Sequence, residues 1–375
     1  MKVLVTGGCG FIGSHLVDRL VKKGHEVRVL DRLEYQVHQG SLPDYLNPQA
    51  EYIFADVGDE DILKVAVKGV HIIFHEAAMV GVGQSMYEIE RYVASNVMGT
   101  TTLLNFLVNE SHDVKKLVVA SSMSIYGEGA YICNECGDVY PQLRDVVQLK
   151  SREWEMKCPI CQKTATPKAT GEDKPLYPTS IYAITKRDQE EMCLVTGRAY
   201  GIPAVALRYF NVYGPRQSLN NPYTGVAAIF SSRIKNDNPP LIFEDGLQSR
   251  DFVSVHDIVS ANLLVMDKDE ANYRSFNVGT GRVTSIWTIA EMLIKLYGKK
   301  LKPIMVNQFR AGDIRHCYAD ISRIKKLGFE PSVALLEGMA ELVRWGEKVS
   351  AEDKVEAAVN ELREKGLVEG LRIKD

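Results

Sequence analysis

The sequence lacks a surplus of positive charge, a membrane-length apolar run and a secretory leader. Lys and Arg number 45 against 48 Asp and Glu, so the net charge is −3, whereas a protein whose main partner is nucleic acid usually carries a basic excess. No stretch approaches the roughly 20 apolar residues of a membrane span. The apolar run after Met1 is too short for a signal peptide and no cleavage site follows it. We therefore expect a cytoplasmic protein with neither nucleic acid nor membrane as a partner.

Internal repeats and low-complexity tracts are also missing. The 375 residues are 45% hydrophobic and 25% charged, an ordinary globular composition. This length is large for one hydrophobic core, so we expect two intimately joined domains. Three of the seven cysteines are scattered, and we expect them to be small buried apolar side chains: Cys9, Cys193 and Cys317.

Short apolar runs alternate with amphipathic helical patterns along the first part of the chain. Continuous apolar strands separated by helices predict a parallel sheet that is covered on both faces. The predicted class is α/β, with a doubly wound (Rossmann) parallel sheet and a smaller C-terminal substrate lobe. The predicted strands are 2–6, 26–30, 52–55, 70–74, 116–120 and 204–210.

A segment without sustained periodicity interrupts this alternation at 128–172 and carries four paired cysteines. We interpret it as a small insertion. The sheet domain is then predicted to comprise 1–127 and 173–215, and 216–349 mainly the smaller lobe. The charged end, 350–375, is predicted to be a helical extension at the surface.

Three glycines, Gly7, Gly10 and Gly13, follow the first predicted strand and open a helix. This spacing lets the chain turn tightly and approach a pyrophosphate, which the free N–H groups of the helix N-terminus then bind. Asp31 ends the second predicted strand, where a carboxylate accepts hydrogen bonds from ribose hydroxyls and repels a 2′-phosphate. The pattern predicts NAD rather than NADP, although the neighbouring Arg32 weakens that preference. A purely structural turn is the alternative.

Small and acidic residues at the ends of the next two strands complete the predicted dinucleotide site. Asp56-Val57 is placed to flank the adenine, and Ala77-Ala78 to let the backbone pass close to the cofactor. Tight packing is the alternative role for these small residues. The cofactor contacts predicted in this region are Gly7, Gly10, Phe11, Ile12, Gly13, Asp31, Arg32, Asp56, Val57, Ala77 and Ala78.

Tyr182 and Lys186 stand four residues apart in a predicted helix and so share one face. A tyrosine with an ordinary pKa of about 10 is a poor base, but a neighbouring ammonium favours the phenolate and is expected to lower this pKa. Such a pair can take a proton from a hydroxyl while a hydride leaves the same carbon. Ser121-Ser122, at the end of the fifth predicted strand, supplies a hydroxyl to hold the reacting oxygen. Tyr and Lys at this spacing also occur by chance as surface pairs.

In combination these motifs resemble the extended short-chain dehydrogenases, specifically the sugar-nucleotide epimerase/dehydratase group. The resemblance covers about 1–345 apart from the insertion, and its motifs lie at 6–15, 121–127, 182–186 and 208–215. It implies that Ser122, Tyr182 and Lys186 are catalytic. It also implies that Tyr182, Lys186 and Asn96 contact NAD.

The same resemblance implies a nucleotide-sugar substrate. Arg250 and Arg310 match arginines that clamp the nucleotide diphosphate, a role that suits a guanidinium because it binds phosphate through two hydrogen bonds. Asn211 matches a residue that touches the diphosphate. The implied substrate contacts are Ser122, Ser124, Asn211, Arg250, Arg310 and Asp313.

The residues after Ser122 favour one reaction within this group. Dehydratases that resemble this chain carry Asp-Glu directly after the catalytic Thr, whereas Met123 and Ser124 stand here and cannot act as carboxyl acids. We therefore expect a 4-epimerase, which implies oxidation at C4 by NAD, rotation of the 4-keto sugar and return of the hydride to its other face.

The sequence around Tyr126 and the cysteine-bearing insertion most resemble dTDP-L-rhamnose 4-epimerases, with UDP-glucose/UDP-galactose as the alternative substrate. Two other classes of protein stay open. One is a non-catalytic NAD-binding regulator with a zinc ribbon. The other is a sugar-nucleotide reductase or oxidase that releases NADH.

The four paired cysteines predict a metal site. Cys133 and Cys136 form one C-x-x-C pair, and Cys158 and Cys161 form a second after 21 intervening residues. Two such knuckles can close a tetrahedral zinc site, and four protein ligands make that zinc structural. A pair of redox disulfides and vestigial knuckles are the alternatives.

Two further expectations concern how the chain assembles. The insertion lies between Ser122 and Tyr182 in the sequence, so we expect the ribbon to cover or border the sugar pocket. Proteins of the resembling group commonly dimerise through two long helices, here Asn96–Val108 and Tyr182–Tyr200. The resemblance therefore implies a homodimer.

Overall fold

The computed structural model describes residues 1–369, and the last six residues of the predicted extension lie outside that part. The strands are β1 Lys2–Thr6, β2 Glu26–Asp31, β3 Glu51–Phe54, β4 Ile72–His75, β5 Lys116–Ser122, β6 Ala130–Cys133, β7 Gly137–Val139, β8 Thr166–Lys168, β9 Ala204–Tyr209, β10 Asn211–Tyr213, β11 Leu241–Ile242, β12 Ser249–Arg250, β13 Phe252–Ser254, β14 Arg274–Val278, β15 Thr284–Ser285, β16 Ile304–Met305, β17 Phe309–Arg310, β18 His316–Cys317 and β19 Val368–Glu369.

The helices alternate with these strands. They are α1 Phe11–Lys22, α2 Tyr35–His38, α3 Glu60–Ala66, α4 Val82–Ser85, α5 Ile89–Tyr92, α6 Gly99–Asn109, α7 Val146–Lys150, α8 Ile181–Tyr200, α9 Val226–Lys235, α10 Val255–Met266, α11 Ile286–Leu296, α12 Ser322–Lys325, α13 Leu335–Lys348 and α14 Val355–Glu364. A π-helical turn, Val93–Met98, joins α5 to α6. Among the described residues, no helix combines the length and apolarity that crossing a bilayer requires.

Seven parallel strands form the main sheet in the order β14-β9-β5-β4-β1-β2-β3. Its strands are almost wholly apolar because helices cover both faces. Helices α1 and α10 pack on one face through Leu16, Leu20 and Ile258, and α3 and α6 pack on the other through Leu63 and Leu103. The predicted class, a doubly wound α/β fold, is confirmed. The strand order reverses beside β1, which opens a crevice at the carboxyl ends of the strands.

The boundary between the two domains differs from the prediction. The six predicted strands occur where expected, but a seventh, β14, pairs with β9 along five residues. Both β14 and α10 lie within 216–349, so the chain returns to the main sheet after entering the smaller lobe. The sequence of β14, RSFNV, has polar residues between and before its two apolar ones, so it lacks the continuous apolar run by which a buried strand is recognised. The lobe itself packs α9, α11 and α13 around Phe230, Leu293 and Leu342.

The insertion forms an antiparallel sheet in the order β7-β6-β8. Tyr131, Met156 and Ala165 pack beside the cysteines in a small core of its own. We refer to residues 128–172 as the ribbon.

Buried charges join the ribbon to the lobe. Arg144 of the ribbon donates two hydrogen bonds to the Glu244 carboxylate, at 2.8 and 2.9 Å. Arg315 of the lobe, which is 0% exposed, donates to Glu155 of the ribbon and to Asp245 and Glu244 of the lobe. The Arg144–Glu244 pair, buried on both sides, fixes the ribbon against the lobe, because among the described residues Arg144 has no other carboxylate partner in this buried environment.

Candidate active site

A large cavity lies at the carboxyl ends of the main-sheet strands, between the sheet domain and the smaller lobe. It brings together residues from every predicted sequence motif except the cysteines. The predicted residues that line it are Gly7, Gly10, Phe11, Ile12, Gly13, Asp31, Arg32, Asp56, Val57, Ala77, Ala78, Ser122, Ser124, Tyr182, Lys186, Asn211, Arg250, Arg310 and Asp313.

The glycine loop leaves no room for a side chain at Gly7 or Gly13. Gly7 has a φ of +71°, and a Cβ on it would lie 2.7 Å from the backbone nitrogen of Ala77. A Cβ on Gly13 would lie 2.2 Å from the carbonyl oxygen of Gly7. Gly10 begins α1 without a side-chain cap, so the first N–H groups of that helix remain available to an anion. The loop therefore fits the pyrophosphate of a dinucleotide.

Asp31 and Arg32 are held in a way that favours NAD. The Asp31 carboxylate accepts hydrogen bonds from the backbone N–H groups of Cys9, at 2.9 Å, and Leu33, at 2.8 Å. Arg32 donates to Asp56 at 2.8 Å and to Glu34 at 2.6 Å. Because these two carboxylates already neutralise the Arg32 guanidinium, it is not free to attract a 2′-phosphate. Arg32 therefore does not oppose the preference for NAD over NADP that Asp31 gives.

The three predicted catalytic residues meet in the cavity. Tyr182 lies in the first turn of α8, which Ser180 caps by accepting a hydrogen bond from the N–H of Ala183 at 3.1 Å. Ser122 ends β5, and its hydroxyl hydrogen bonds to that of Tyr182. Ser124 donates to the Ser122 hydroxyl oxygen at 2.9 Å. The two serines and the tyrosine thus form one hydroxyl cluster at the cavity wall.

The expected lowering of the Tyr182 pKa by Lys186 is wrong in this structure. Burial raises the pKa of Tyr182, and the hydrogen bond with Ser122 opposes that rise. Burial also lowers the pKa of Lys186 to about 8, against the attraction of the Glu76 carboxylate. The Lys186 ammonium donates to Gln189 at 2.9 Å. Desolvation, which the sequence could not reveal, is thus the largest influence on the pKa of Tyr182.

Asn96 does not reach the cavity, contrary to its implied role beside the cofactor. Its side chain is fully buried. Its amide donates to the Met79 carbonyl and the Thr185 hydroxyl, and its oxygen accepts from the N–H of Met79 at 2.7 Å. Asn96 therefore ties the segment after β4 to α8 and acts on the site only through them.

The two predicted diphosphate-binding arginines lie on the lobe side of the cavity, opposite the predicted substrate contacts Ser122 and Ser124 at the end of β5. Arg250 donates to the carbonyls of Ser249, Ile314 and Arg315, which fix its guanidinium. Arg310 donates to Asp313 at 2.7 Å. The side-chain oxygen of Asn211 is buried without a hydrogen-bond partner, as expected of a group that contacts a ligand.

Several lining residues escaped the sequence analysis. Glu76 lies between His75 and Ala77 at the end of β4, and burial raises its pKa to about 7 while the Tyr209 hydroxyl donates to it at 2.8 Å. The available signal in the sequence was that Glu76 directly precedes Ala77-Ala78, which were predicted to contact the cofactor. Gln217 and Gln248 line the lobe side, each with a buried oxygen that lacks a partner.

The C-terminal helix α14 also lines the cavity, through Val355, Ala358, Val359 and Leu362. The prediction of a surface element was therefore wrong for its apolar face. The signal was present as the spacing of these residues along one side of a helix.

The four paired cysteines come together in the ribbon. Their sulfur atoms all lie within 4.8 Å of one another, and those of Cys133 and Cys161 are 3.5 Å apart. Sulfurs of a tetrahedral zinc site are separated by about 3.8 Å, given a zinc–sulfur bond of about 2.3 Å, so the four thiols fit such an ion. None of residues 128–172, all of which the structure describes, lines the cavity. The ribbon thus does not cover the cavity, but its Arg144 donates a hydrogen bond to the carbonyl oxygen of Asp313, which lines the cavity, so the ribbon lies directly behind the cavity wall.

Comparison with known proteins agrees with this geometry. The profile of the NAD dependent epimerase/dehydratase family matches residues 3–279. A dTDP-L-rhamnose 4-epimerase of Burkholderia thailandensis is 36% identical over 348 residues, which covers 92% of this chain and 94% of that protein. A putative UDP-glucose 4-epimerase of Methanocaldococcus jannaschii is 33% identical over 92% of this chain and 97% of its own.

Solved structures show the same fold. The UDP-glucose 4-epimerase of Thermotoga maritima, solved with UDP-glucose, superposes with a TM-score of 0.76 at 32% identity, covering 93% of this chain and 99% of that one. The UDP-glucuronic acid 4-epimerase of Bacillus cereus, solved with UDP-glucuronic acid and NAD, also has a TM-score of 0.76, at 27% identity over 93% of this chain and 100% of that one. With its glycine loop, Asp31 and hydroxyl cluster in one cavity, the chain belongs to the NAD-dependent epimerase/dehydratase family of enzymes.

Proposed function

We propose that this protein interconverts the C4 epimers of a nucleotide sugar, and that dTDP-L-rhamnose is its substrate. The observation that carries the reaction class is the hydroxyl cluster of Ser122, Ser124 and Tyr182 at the cavity wall. Met123 and Ser124 stand where similar dehydratases carry Asp and Glu. Neither side chain is a carboxyl acid, so neither can assist the loss of water from the sugar.

Each residue of the cluster has a distinct task in this reaction. Ser122 holds the C4 oxygen against Tyr182, which takes the C4 hydroxyl proton and later returns it. NAD, when bound, supplies the hydride acceptor and is regenerated as the hydride returns. The Lys186 ammonium favours the tyrosinate electrostatically, against the burial that raises the Tyr182 pKa, and Glu76 favours the charged form of Lys186. Arg250 and Arg310 grip the diphosphate while the sugar turns.

The choice of substrate rests on the relatives. The 36% identical protein of Burkholderia thailandensis is a dTDP-L-rhamnose 4-epimerase, whereas the 33% identical protein of Methanocaldococcus jannaschii bears a UDP-glucose name. UDP-glucose/UDP-galactose is therefore the second candidate pair.

A panel of nucleotide sugars tests the proposal. Purified protein is incubated without added cofactor with dTDP-L-rhamnose, UDP-galactose and UDP-glucuronate, and the sugar H1 and H4 signals are followed by NMR. We expect conversion of dTDP-L-rhamnose to its C4 epimer, without accumulation of the absorbance of reduced cofactor. Turnover of UDP-galactose alone would support the 4-epimerase reaction but replace dTDP-L-rhamnose as the substrate. Binding of nucleotide sugars without any turnover would favour a regulator, and accumulating NADH would favour a reductase or oxidase.

We propose further that the four ribbon cysteines bind one structural zinc ion. Four protein ligands leave no open coordination position, so the metal would stabilise the ribbon and take no part in catalysis. Because the ribbon core is small and contains these cysteines, we expect removal of the metal to lower the melting temperature. A loss of about 2 kcal/mol corresponds to a fall of about 2–3 °C in the melting temperature of a chain of this length, because the entropy of unfolding is about 2.1 cal/mol/K per residue.

Metal analysis and thermal unfolding check this prediction. The protein should contain one zinc per chain, and the double variant Cys133→Ser/Cys158→Ser none. Cys193→Ala changes a buried cysteine outside the ribbon and should keep the zinc. A native protein free of zinc, or one whose melting temperature is unchanged by the double substitution, would contradict the proposal.

We propose that the protein acts as a homodimer through α6 and α8, which pack side by side. Met98, Ile184 and Val195 are exposed apolar side chains on this helical surface, and burial against a second copy would remove them from water. Light scattering after size-exclusion chromatography should give twice the chain mass. Val195→Glu should reduce it to the mass of one chain.

A further inference from the structure

The end of the chain crosses the mouth of the cavity. We call residues 351–369 the strap. At its beginning, Arg233 of α9 forms ion pairs of 3.2 Å with both Asp353 and Glu356. The Asn238 amide also donates to Asp353, at 2.7 Å. These contacts fix the start of the strap on the smaller lobe.

The far end of the strap returns to the lobe beside Arg310. Strand β19 pairs antiparallel with β17, so that Arg310 lies opposite Val368. The N–H of Ala311 donates to the Leu367 carbonyl at 2.8 Å. The strand that carries the implied diphosphate ligand is therefore held by the strap.

Between these ends, α14 packs against the sheet domain. A Cβ on Gly83 of α4 would lie 3.1 Å from a methyl carbon of Leu362. Ser85, at the end of the same short helix, accepts a hydrogen bond from the N–H of Tyr182 at 3.0 Å. Leu362 thus lies against α4, the short helix that binds the backbone of Tyr182. The Tyr223 hydroxyl donates to Glu361 at 2.7 Å and fixes the rotation of α14.

The face that α14 turns to the cavity is apolar. Val355, Ala358 and Leu362 are buried, and Val359 and Leu367 line the cavity beside them. The opposite face is exposed and includes Glu364. Apolar side chains offer a sugar shape but no hydrogen bonds, so they limit its size without fixing one orientation. A 4-keto sugar that must present both faces requires such a wall.

From these contacts we infer that the strap is part of the substrate site, and that Leu362 sets the size of the sugar that the enzyme accepts. The inference rests on the proposed nucleotide-sugar substrate. It adds a specificity-determining residue outside the region that the family profile matches, which ends at residue 279.

Binding and turnover of a matched pair of ligands test the role of Leu362. dTDP-glucose and dTDP-N-acetylglucosamine carry the nucleotide of the proposed substrate and differ from each other only at C2, and their dissociation constants are measured by calorimetry on the full-length, NAD-containing protein. Leu362→Ala should raise the affinity for the N-acetylated sugar relative to the unsubstituted one by about tenfold. A difference of one methylene group in the fit of an apolar pocket changes discrimination by at least about this factor. Leu362→Trp should weaken both.

Two further variants complete the test. Val359→Ala enlarges the same wall and should shift the ratio in the same direction, which keeps the inference testable if Leu362→Ala does not fold. Glu364→Ala, on the exposed face of α14, should leave the ratio unchanged. A ratio within twofold of the native value in folded, NAD-loaded Leu362→Ala and Val359→Ala would overturn the inference. Because binding does not require turnover, the two proposals can fail separately. A shifted ratio of dissociation constants in a protein without epimerase activity would reject the proposed reaction but support the role of Leu362 in the sugar site.

Discussion

Replacing Tyr182 with phenylalanine will reduce the rate of epimerisation by a factor of about 10² to 10⁴, the usual contribution of a positioned acid–base group. The ring and its packing stay, and only the hydroxyl that bonds to Ser122 is lost. Without it, no group of the cluster can take the C4 proton as the hydride leaves. The measurement is the initial rate with the nucleotide sugar that the panel identifies, together with the NAD content of the purified protein.

The chain offers a close control for this substitution. Tyr200 lies at the other end of the same helix, α8, and is 60% exposed, so Tyr200→Phe should keep the native rate. We expect NAD to remain bound in both variants, because the glycine loop and Asp31 are untouched. A Tyr182→Phe protein that retains more than about a tenth of the native rate would remove Tyr182 from the role of general base.

Gly13→Ala is expected to abolish retention of NAD. The added methyl would lie 2.2 Å from the Gly7 carbonyl oxygen, and atoms this close must separate. The loop would move away from α1 and lose the cradle that the pyrophosphate needs. We expect the NAD released on denaturation to fall to less than about a tenth of the native amount, because even a partial loss of ~1.4 kcal/mol in binding is tenfold.

Gly171→Ala is the control for the added methyl group. The nearest atom to a Cβ at Gly171 is a carboxylate oxygen of Asp320 at 4.0 Å, and the position is outside the cavity. This variant should bind NAD as the native protein does. Thermal unfolding of both variants separates loss of the fold from loss of the cofactor. Native NAD content in a folded Gly13→Ala protein would show that the loop does not hold the dinucleotide.

Much of the cofactor half of the site could be predicted because its signals are local. The glycine spacing, Asp31 at a strand end and the Tyr182/Lys186 pair each lie within a few residues of chain, and a buried parallel strand is apolar throughout. The predicted enzyme class, an NAD-dependent nucleotide-sugar 4-epimerase, agrees with the relatives and with solved complexes that contain NAD. Local patterns of this kind can be recognised without knowledge of the tertiary structure.

The features that were missed depend on partners far away in the sequence. The buried amide of Asn96 is used by Met79 and Thr185, and nothing near Asn96 announces that it faces inward. Burial raises the pKa of Tyr182, and burial is a property of the folded chain alone. The apolar side of α14 was visible as a pattern, but which surface it covers depends on α4 and α9.

The buried charges between the ribbon and the lobe bear on how this insertion can be inherited. A small sheet with its own core could be excised or transplanted between relatives if nothing tied it to the rest of the chain. Excision here would take away Arg144 and Glu155 but leave Glu244 and Arg315 paired with each other, and Arg315 also with Asp245, on a surface that the ribbon now covers. Transplanting the ribbon into a relative without Glu244, by contrast, would bury the Arg144 guanidinium without its carboxylate partner, and removing one partner of a buried pair costs about 3–5 kcal/mol. We therefore expect the ribbon to be gained only together with the acidic residue at position 244.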